Sequence, residues 1–347
     1  MPLLTSQHLN KKDNPKMGSS SYSDDFYRDR VSSRAASGTP AFKYDDDIKR
    51  GKVAAGVHDS LNIKNKIREA RDSKEHPNST PIAVVFDETG SMGGVPKIMQ
   101  ANLPKLMGLL LRKGYIEDPQ ILFGAVGDYV NREKAPLQIG QFESGIEMDD
   151  NITNIFLEGQ GGGSYQESYQ NAMYFFAHRT SCDAFEKRGK KGYLFLVGDE
   201  MPYSKSSASE LQTLIADDIK DGVTIERIVA SCQEKWEVFF IIPSGTSHFS
   251  DPELFDHWAK LIGAQHVMKL EDPAAICETI GLTVGVCEGT AGDDLHADLK
   301  DVGATAHVAN VATSSVGAIA ADRALAKVGT GGTLPAKKGR SEKIERL

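Results

Sequence analysis

The sequence predicts an α/β protein: a mostly parallel sheet flanked by helices, with one antiparallel edge strand. Three observations predict it. From Thr80 onward, apolar runs of five or six residues alternate with longer amphipathic stretches, the rhythm of buried strands and crossover helices. The link between the second and third runs is about ten residues, too short for a helical crossover, which makes the third strand antiparallel at an edge. At 347 residues and 40% hydrophobic composition, the chain can also bury a sizeable core.

Residues 1–78 are rich in Ser, Asn, Asp, Lys and Arg and show no sustained apolar period, so they read as a largely flexible N-terminal arm. Within it, 53–71 carries a weak apolar stripe of Val57, Leu61, Ile63 and Ile67 and is expected to be helical. Residues 79–288 form the predicted domain. Its strands are expected at 82–86 (IAVVF), 121–126, 137–142, 193–197 (YLFLV), 238–242 and, more weakly, 266–270. Helices are expected at 97–112, 149–157, 166–178, 207–219, 225–235, 252–262 and 273–286. Residues 289–347 turn to Ala, Gly, Thr and Asp, a C-terminal extension with one expected helix at 315–328 and a basic tail.

Composition excludes several classes. No stretch reaches the roughly 18 uncharged apolar residues of a membrane span, and the first residues lack a signal-peptide core, so the default compartment is the cytoplasm. Cys182, Cys232, Cys277 and Cys287 form no Cys-x-x-Cys pair and read as ordinary reduced thiols. His257 and His266 are too far apart to share a helix face, which argues against zinc. The net charge is −8, with residues 1–80 at +4. That asymmetry would suit an acidic partner or nucleic acid, but a solvated tail is the preferred reading, and since basic residues do not interleave with aromatics nucleic acid is not an expected partner.

Three polar clusters carry the chemistry. Asp87-Glu88-Thr89-Gly90-Ser91-Met92 follows the first apolar run, Gly161-Gly162-Gly163-Ser164 precedes the 166–178 helix, and Gly198-Asp199-Glu200-Met201-Pro202 follows the fourth run. The first and third stand at carboxyl strand ends, where open parallel sheets place ligand sites. Asp87, Thr89, Ser91, Ser164 and Asp199 make an all-oxygen set suited to a hard cation: Mg²⁺ or Mn²⁺, or else Ca²⁺. Alternatively, Asp87 and Ser91 could cap the next helix and Asp199 a turn. Asp128 stands at the end of the second strand, either behind the ligands, in place of one of them, or as a turn aspartate. Glu167, three residues after Ser164, fits a capping box better than a place behind the metal. Glu88 and Glu200 are expected to face solvent.

These residues resemble the von Willebrand factor A-type domain with its metal-ion-dependent adhesion site, whose pattern is Asp-x-Ser-x-Ser, then a Thr, then an Asp. Here Asp87, Thr89 and Ser91, then Ser164, then Asp199 occur in that order, with two Ser/Thr exchanges that keep the hydroxyl. The resemblance spans about 80–287 and implies a doubly wound, Rossmann-like sheet. It also implies a non-enzymatic protein interaction module whose metal captures an Asp or Glu of a partner, as an adaptor beside an AAA+ ATPase of the chelatase or MoxR type.

Two other readings use the same residues. Asp87-Glu88-Thr89-Gly90-Ser91 also resembles the Asp-Lys-Thr-Gly-Thr motif of haloacid-dehalogenase-like, Mg²⁺-dependent phosphotransferases, whose Asp is phosphorylated. That reading leaves the glycine-rich stretch unexplained and finds no suitably placed lysine or second acidic residue. A structural subunit of a phage or cellular assembly, threading residues 1–78 onto its neighbours, is the third.

Overall fold

The computed structural model describes residues 24–159, 165–291 and 294–329. Six strands form the central sheet: β1 (Ser79–Asp87), β2 (Asp118–Val126), β3 (Leu137–Ile139), β4 (Gly192–Val197), β5 (Trp236–Pro243) and β6 (Val267–Leu270). Their order is β6-β5-β4-β1-β2-β3. Every pairing is parallel except β2 with β3, where Gly124 stands opposite Ile139. The short link between β2 and β3 thus has the expected consequence.

All nine residues of β1 are buried, which is why its sequence is apolar on both faces. Alternate residues supply two separate cores. Ile82, Val84 and Phe86 pack under α3 (Val95–Ala101), α7 (Ile276–Glu288) and α9 (Ala306–Ser315). Ala83 and Val85 pack under α4 (Tyr169–His178), α5 (Ile225–Lys235) and α6 (Pro252–Ile262). The result is a mainly parallel mixed sheet with helices on both faces. Local signals explain α6 well. Asp251 caps it by accepting from Glu253 N at 2.8 Å, Pro252 opens it, and Gly263 at φ 97° ends it.

The N-terminal region departs from expectation. Residues 24–78 pack on the domain, with α1 (Asp24–Ser37), α2 (Lys43–Lys49) and the buried side chains of Phe42, Leu61 and Ile63. No helix forms over 53–71. Leu61 belongs to one core and Ile63 to the other, so the supposed stripe needs turning, extended backbone. Asn65 adopts φ 58°, and Ile67 remains 55% exposed. The segment ends in a short strand, Arg68–Ala70, parallel to Thr180–Cys182. It also covers the sheet edge: Ile139 N donates to Leu61 O at 3.0 Å, and Arg68 Nη2 donates to Ile139 O at 2.6 Å.

Smaller differences follow from packing. The 97–112 helix is broken into Val95–Ala101, Leu103–Met107 and a π turn at Gly108–Arg112. Strand β3 stops at Ile139, with Glu143 bridging back to Ile121. In the C-terminal extension, α8 (Leu295–Asp301), α9 and α10 (Gly317–Gly329) follow one another, and Leu299, Val308, Ala312 and Ile319 join the core beside α7. Among the described residues, no helix is long and apolar enough to cross a membrane, and all four cysteines are free thiols.

Candidate functional site

The strand order β4-β1-β2 brings three carboxylates to one sheet edge: Asp199 two residues past β4, Asp87 at the end of β1, and Asp128 two residues past β2. The loop leaving β1 then folds back on its own carboxylate. Thr89 donates to Asp87 Oδ1 twice, from its backbone N at 2.8 Å and from its hydroxyl at 2.5 Å. Thr89 Oγ1 and Ser91 Oγ are 3.0 Å apart, and Ser91 Oγ donates to Asp199 Oδ1 at 2.7 Å. Asp87, Thr89, Ser91 and Asp199 therefore form one continuous line of oxygens. Gly90 permits the close approach of the next wall, since a Cβ there would lie 2.9 Å from Gly159 O.

The outer oxygens of both aspartates are also held. Tyr169 OH donates to Asp87 Oδ2 at 2.9 Å, and His248 N donates to Asp199 Oδ2 at 3.0 Å. Gly198 makes the tyrosine's approach possible: a Cβ at that position would lie 1.8 Å from Tyr169 OH.

Negative charge is concentrated here and taken from water. Asp87, Glu88, Asp128, Glu167, Asp199 and Glu200 are all buried. Among the described residues, no Lys or Arg pairs with Asp87, Glu88, Glu167, Asp199 or Glu200. Burial is the first cause that raises the Asp87 carboxyl above its ordinary range, opposed by the Thr89 hydrogen bonds and reinforced by Asp199. Glu200 is raised by burial and by Asp87, and Glu167 is raised more than Glu200, by burial and then by Asp87 and Glu200. A hydrogen bond with Glu167 lowers Glu200 against these causes, so the two buried carboxyls are each other's partner. Such a set fits a hard cation, which would supply the charge that no side chain supplies.

Of the residues expected at the site, Asp87, Thr89, Ser91 and Asp199 converge. Ser164 lies outside the described residues. Asp128 is close enough to raise Glu167 and Glu200, but it also closes its own loop, accepting from Val130 N and Tyr203 OH at 2.8 Å each. Glu167 does not form the expected capping box. Helix α4 begins at Tyr169, while Glu167 lies in a two-residue strand beside Met201–Pro202 and turns its carboxyl toward the other acids. Glu88 and Glu200 are buried, not solvent-facing, because neighbouring loops cover both. Tyr169 was not legible as a site residue, although its place at the start of the helix after the glycine-rich stretch is the signal that could have marked it.

Fold and site together define an α/β protein with a buried, oxygen-rich acidic crest at the carboxyl edge of its sheet. No family model matches the chain, and no curated protein matches it. Among solved structures, it is similar to proximal thread matrix protein 1 from the mussel byssus, with 10% identity and a TM-score of 0.39 over 61% of this chain and 46% of that one. It is also similar to the pilus adhesin SpaC from Lactobacillus rhamnosus GG in its open conformation, with 8% identity and a TM-score of 0.41 over 65% of this chain and 31% of that one. The chain therefore spans less than half the length of either.

Proposed function

We propose that this chain is a divalent-cation-dependent protein interaction module, a von Willebrand factor A-type domain that captures an acidic side chain of a partner at a metal-ion-dependent adhesion site. The observation that carries this reading is the unbroken line from Asp87 through Thr89 and Ser91 to Asp199. Asp87, Thr89, Ser91 and Asp199 would hold Mg²⁺ or Mn²⁺, or else Ca²⁺, with Ser164 as the further hydroxyl that the sequence pattern offers. Two aspartates balance a divalent charge, and neutral hydroxyls leave the ion electrophilic enough to accept one more carboxylate. The reading extends to an adaptor beside an AAA+ ATPase.

The same geometry favours binding over phosphoryl transfer. Asp87 is fully buried, and both its oxygens already accept hydrogen bonds, from Thr89 and from Tyr169. A small cation can reach such an oxygen, whereas an incoming phosphoryl group cannot approach a fully buried carboxylate.

Calorimetric titration with Mn²⁺ tests the metal. Asp87→Ala with Asp199→Ala should abolish uptake at this site, and unchanged uptake would remove the assignment. An immobilised array of Asp- and Glu-containing peptides tests the capture. Binding should require Mn²⁺, vanish with chelator and vanish in Asp199→Ala, whereas binding indifferent to chelator would defeat the proposal.

A further inference from the structure

A second group of carboxylates lies beside the site without belonging to it. Glu88 follows β1, Glu133 lies in the loop between β2 and β3, and Glu158 lies in the segment that follows the Met148–Thr153 helix. One oxygen from each lies within 4.8 Å of the others. Every one of these glutamates uses one oxygen to hold a backbone amide. Glu88 Oε2 accepts from Glu158 N, Glu133 Oε2 from Asp128 N at 2.6 Å, and Glu158 Oε2 from Lys134 N at 2.8 Å.

The remaining oxygens are what point to a ligand. Glu88 is only 2% exposed, and its Oε1 is buried with no hydrogen-bond partner, as is Oε1 of Glu133. A buried carboxylate oxygen is normally satisfied by a donor or an ion. Among the described residues, no Lys or Arg pairs with any of the three. Space is also kept for them, since a Cβ on Gly127 would lie 2.2 Å from Glu133 Oε2 and 3.0 Å from Glu88 Oε1.

We propose that Glu88, Glu133 and Glu158 form a second, Ca²⁺-type cation site that ties the segment bearing Glu158 to the loop bearing Thr89 and Ser91. Three carboxylates from three separate loops suit the larger ion with its flexible coordination better than the strict octahedron of Mg²⁺. Gly90 closely approaches Gly159 O, so an ion held by Glu158 would steady that wall of the first site. The proposal does not depend on partner capture.

Titration of the full-length chain with CaCl₂ tests it. The Asp87→Ala, Asp199→Ala chain should still bind about one Ca²⁺, and adding Glu133→Gln and Glu158→Gln should abolish that uptake. Loss of all Ca²⁺ binding in the aspartate variant, or wild-type uptake in the Glu133→Gln, Glu158→Gln chain, overturns the second site. Uptake in the aspartate variant equal to wild type would show that the first site takes no Ca²⁺ and would assign all Ca²⁺ uptake to the second. If the glutamate variants do not fold, hydrogen exchange on the wild-type chain decides: Ca²⁺ should slow the amides of Glu158 and Gly159, and unchanged exchange there overturns the proposal.

Discussion

The Ser91 hydroxyl donates to Asp199 Oδ1 at 2.7 Å, across 108 positions of sequence. It joins the loops that leave two adjacent parallel strands, β1 and β4, and so fixes the separation of the two carboxylates that end this edge. A hydroxyl also keeps lone pairs for a cation while its O–H points to Asp199.

Removing that hydroxyl should cost metal affinity without unfolding the chain. In Ser91→Ala the Mn²⁺ dissociation constant should rise about 10–100-fold, in the range seen when groups that orient or complete a metal site are lost. Thr89→Ser keeps an oxygen in the same place and should stay near wild type. Calorimetry with circular dichroism on the same samples checks both, and an unchanged constant in Ser91→Ala would place the ion elsewhere.

The contact between Tyr169 and Asp87 gives a second expectation. The phenol donates to Asp87 Oδ2 at 2.9 Å in a fully buried setting, and this bond lowers a carboxyl that burial raises. Tyr169→Phe should therefore move metal uptake to higher pH and lower stability by about 1–2 kcal/mol. Gly198→Ala should reach the same result by another route, because its Cβ would occupy the place of the phenol oxygen. Parallel shifts in uptake-against-pH curves for the two variants would tie them to one contact, and no shift in either would show that Tyr169 does not act on Asp87.

How far the sequence was readable depends on the distance over which each feature is determined. Strand β1 was legible because IAVVF is buried on both faces, and the antiparallel β3 because a short link has few geometric options. Asp87, Thr89 and Ser91 were legible because alternate positions in one short loop determine where they point. Glu167 was misread because a local rule, the capping box, competed with a pull from Met201–Pro202, with which its strand pairs. The burial of Glu88 and Glu200, and the meeting of Glu88 with Glu133 and Glu158, depend on loops far apart in sequence, which no local pattern encodes. The same holds for residues 24–78, whose few apolar side chains find places in cores built by the rest of the chain.

The crest should make the stability of the metal-free chain fall as pH rises. Burial raises Glu133 from 4.5 to about 7, and Asp87, Glu167 and Glu200 are raised too. Away from the crest, burial raises Glu143 to about 7 as well. A carboxyl raised in the folded state binds more protons there than in the unfolded chain, so its contribution is full below the unfolded value and is lost as pH rises through the folded one. Urea midpoints in chelator should thus fall from about pH 4.5 through pH 7 and keep falling to about pH 8, where Glu200 titrates, and Mn²⁺ or Ca²⁺ should flatten the slope by favouring the ionised carboxylates. A metal-free midpoint that rises over this range would contradict the burial of uncompensated acids.

The N-terminal helix offers the last test. Asp149 is fully buried, and the guanidinium groups of Arg30 and Arg34 on α1 converge on its Oδ2, Arg34 also reaching Thr153 Oγ1 at 2.9 Å. Removing both arginines would leave a buried carboxylate without its cationic partners, an arrangement that typically costs about 3–5 kcal/mol. Asp149→Asn should be milder, because both arginines retain some exposure and can turn to water. Arg30→Ala with Arg34→Ala should therefore lower stability more than Asp149→Asn and release α1 and α2 from the domain. Limited trypsin digestion reads the release at Lys43, Lys49 and Arg50, sites that the wild type should protect. Equal protection in the double variant would mean that Phe42, packed edge-on against Phe86 at 6.5 Å, suffices to hold the segment.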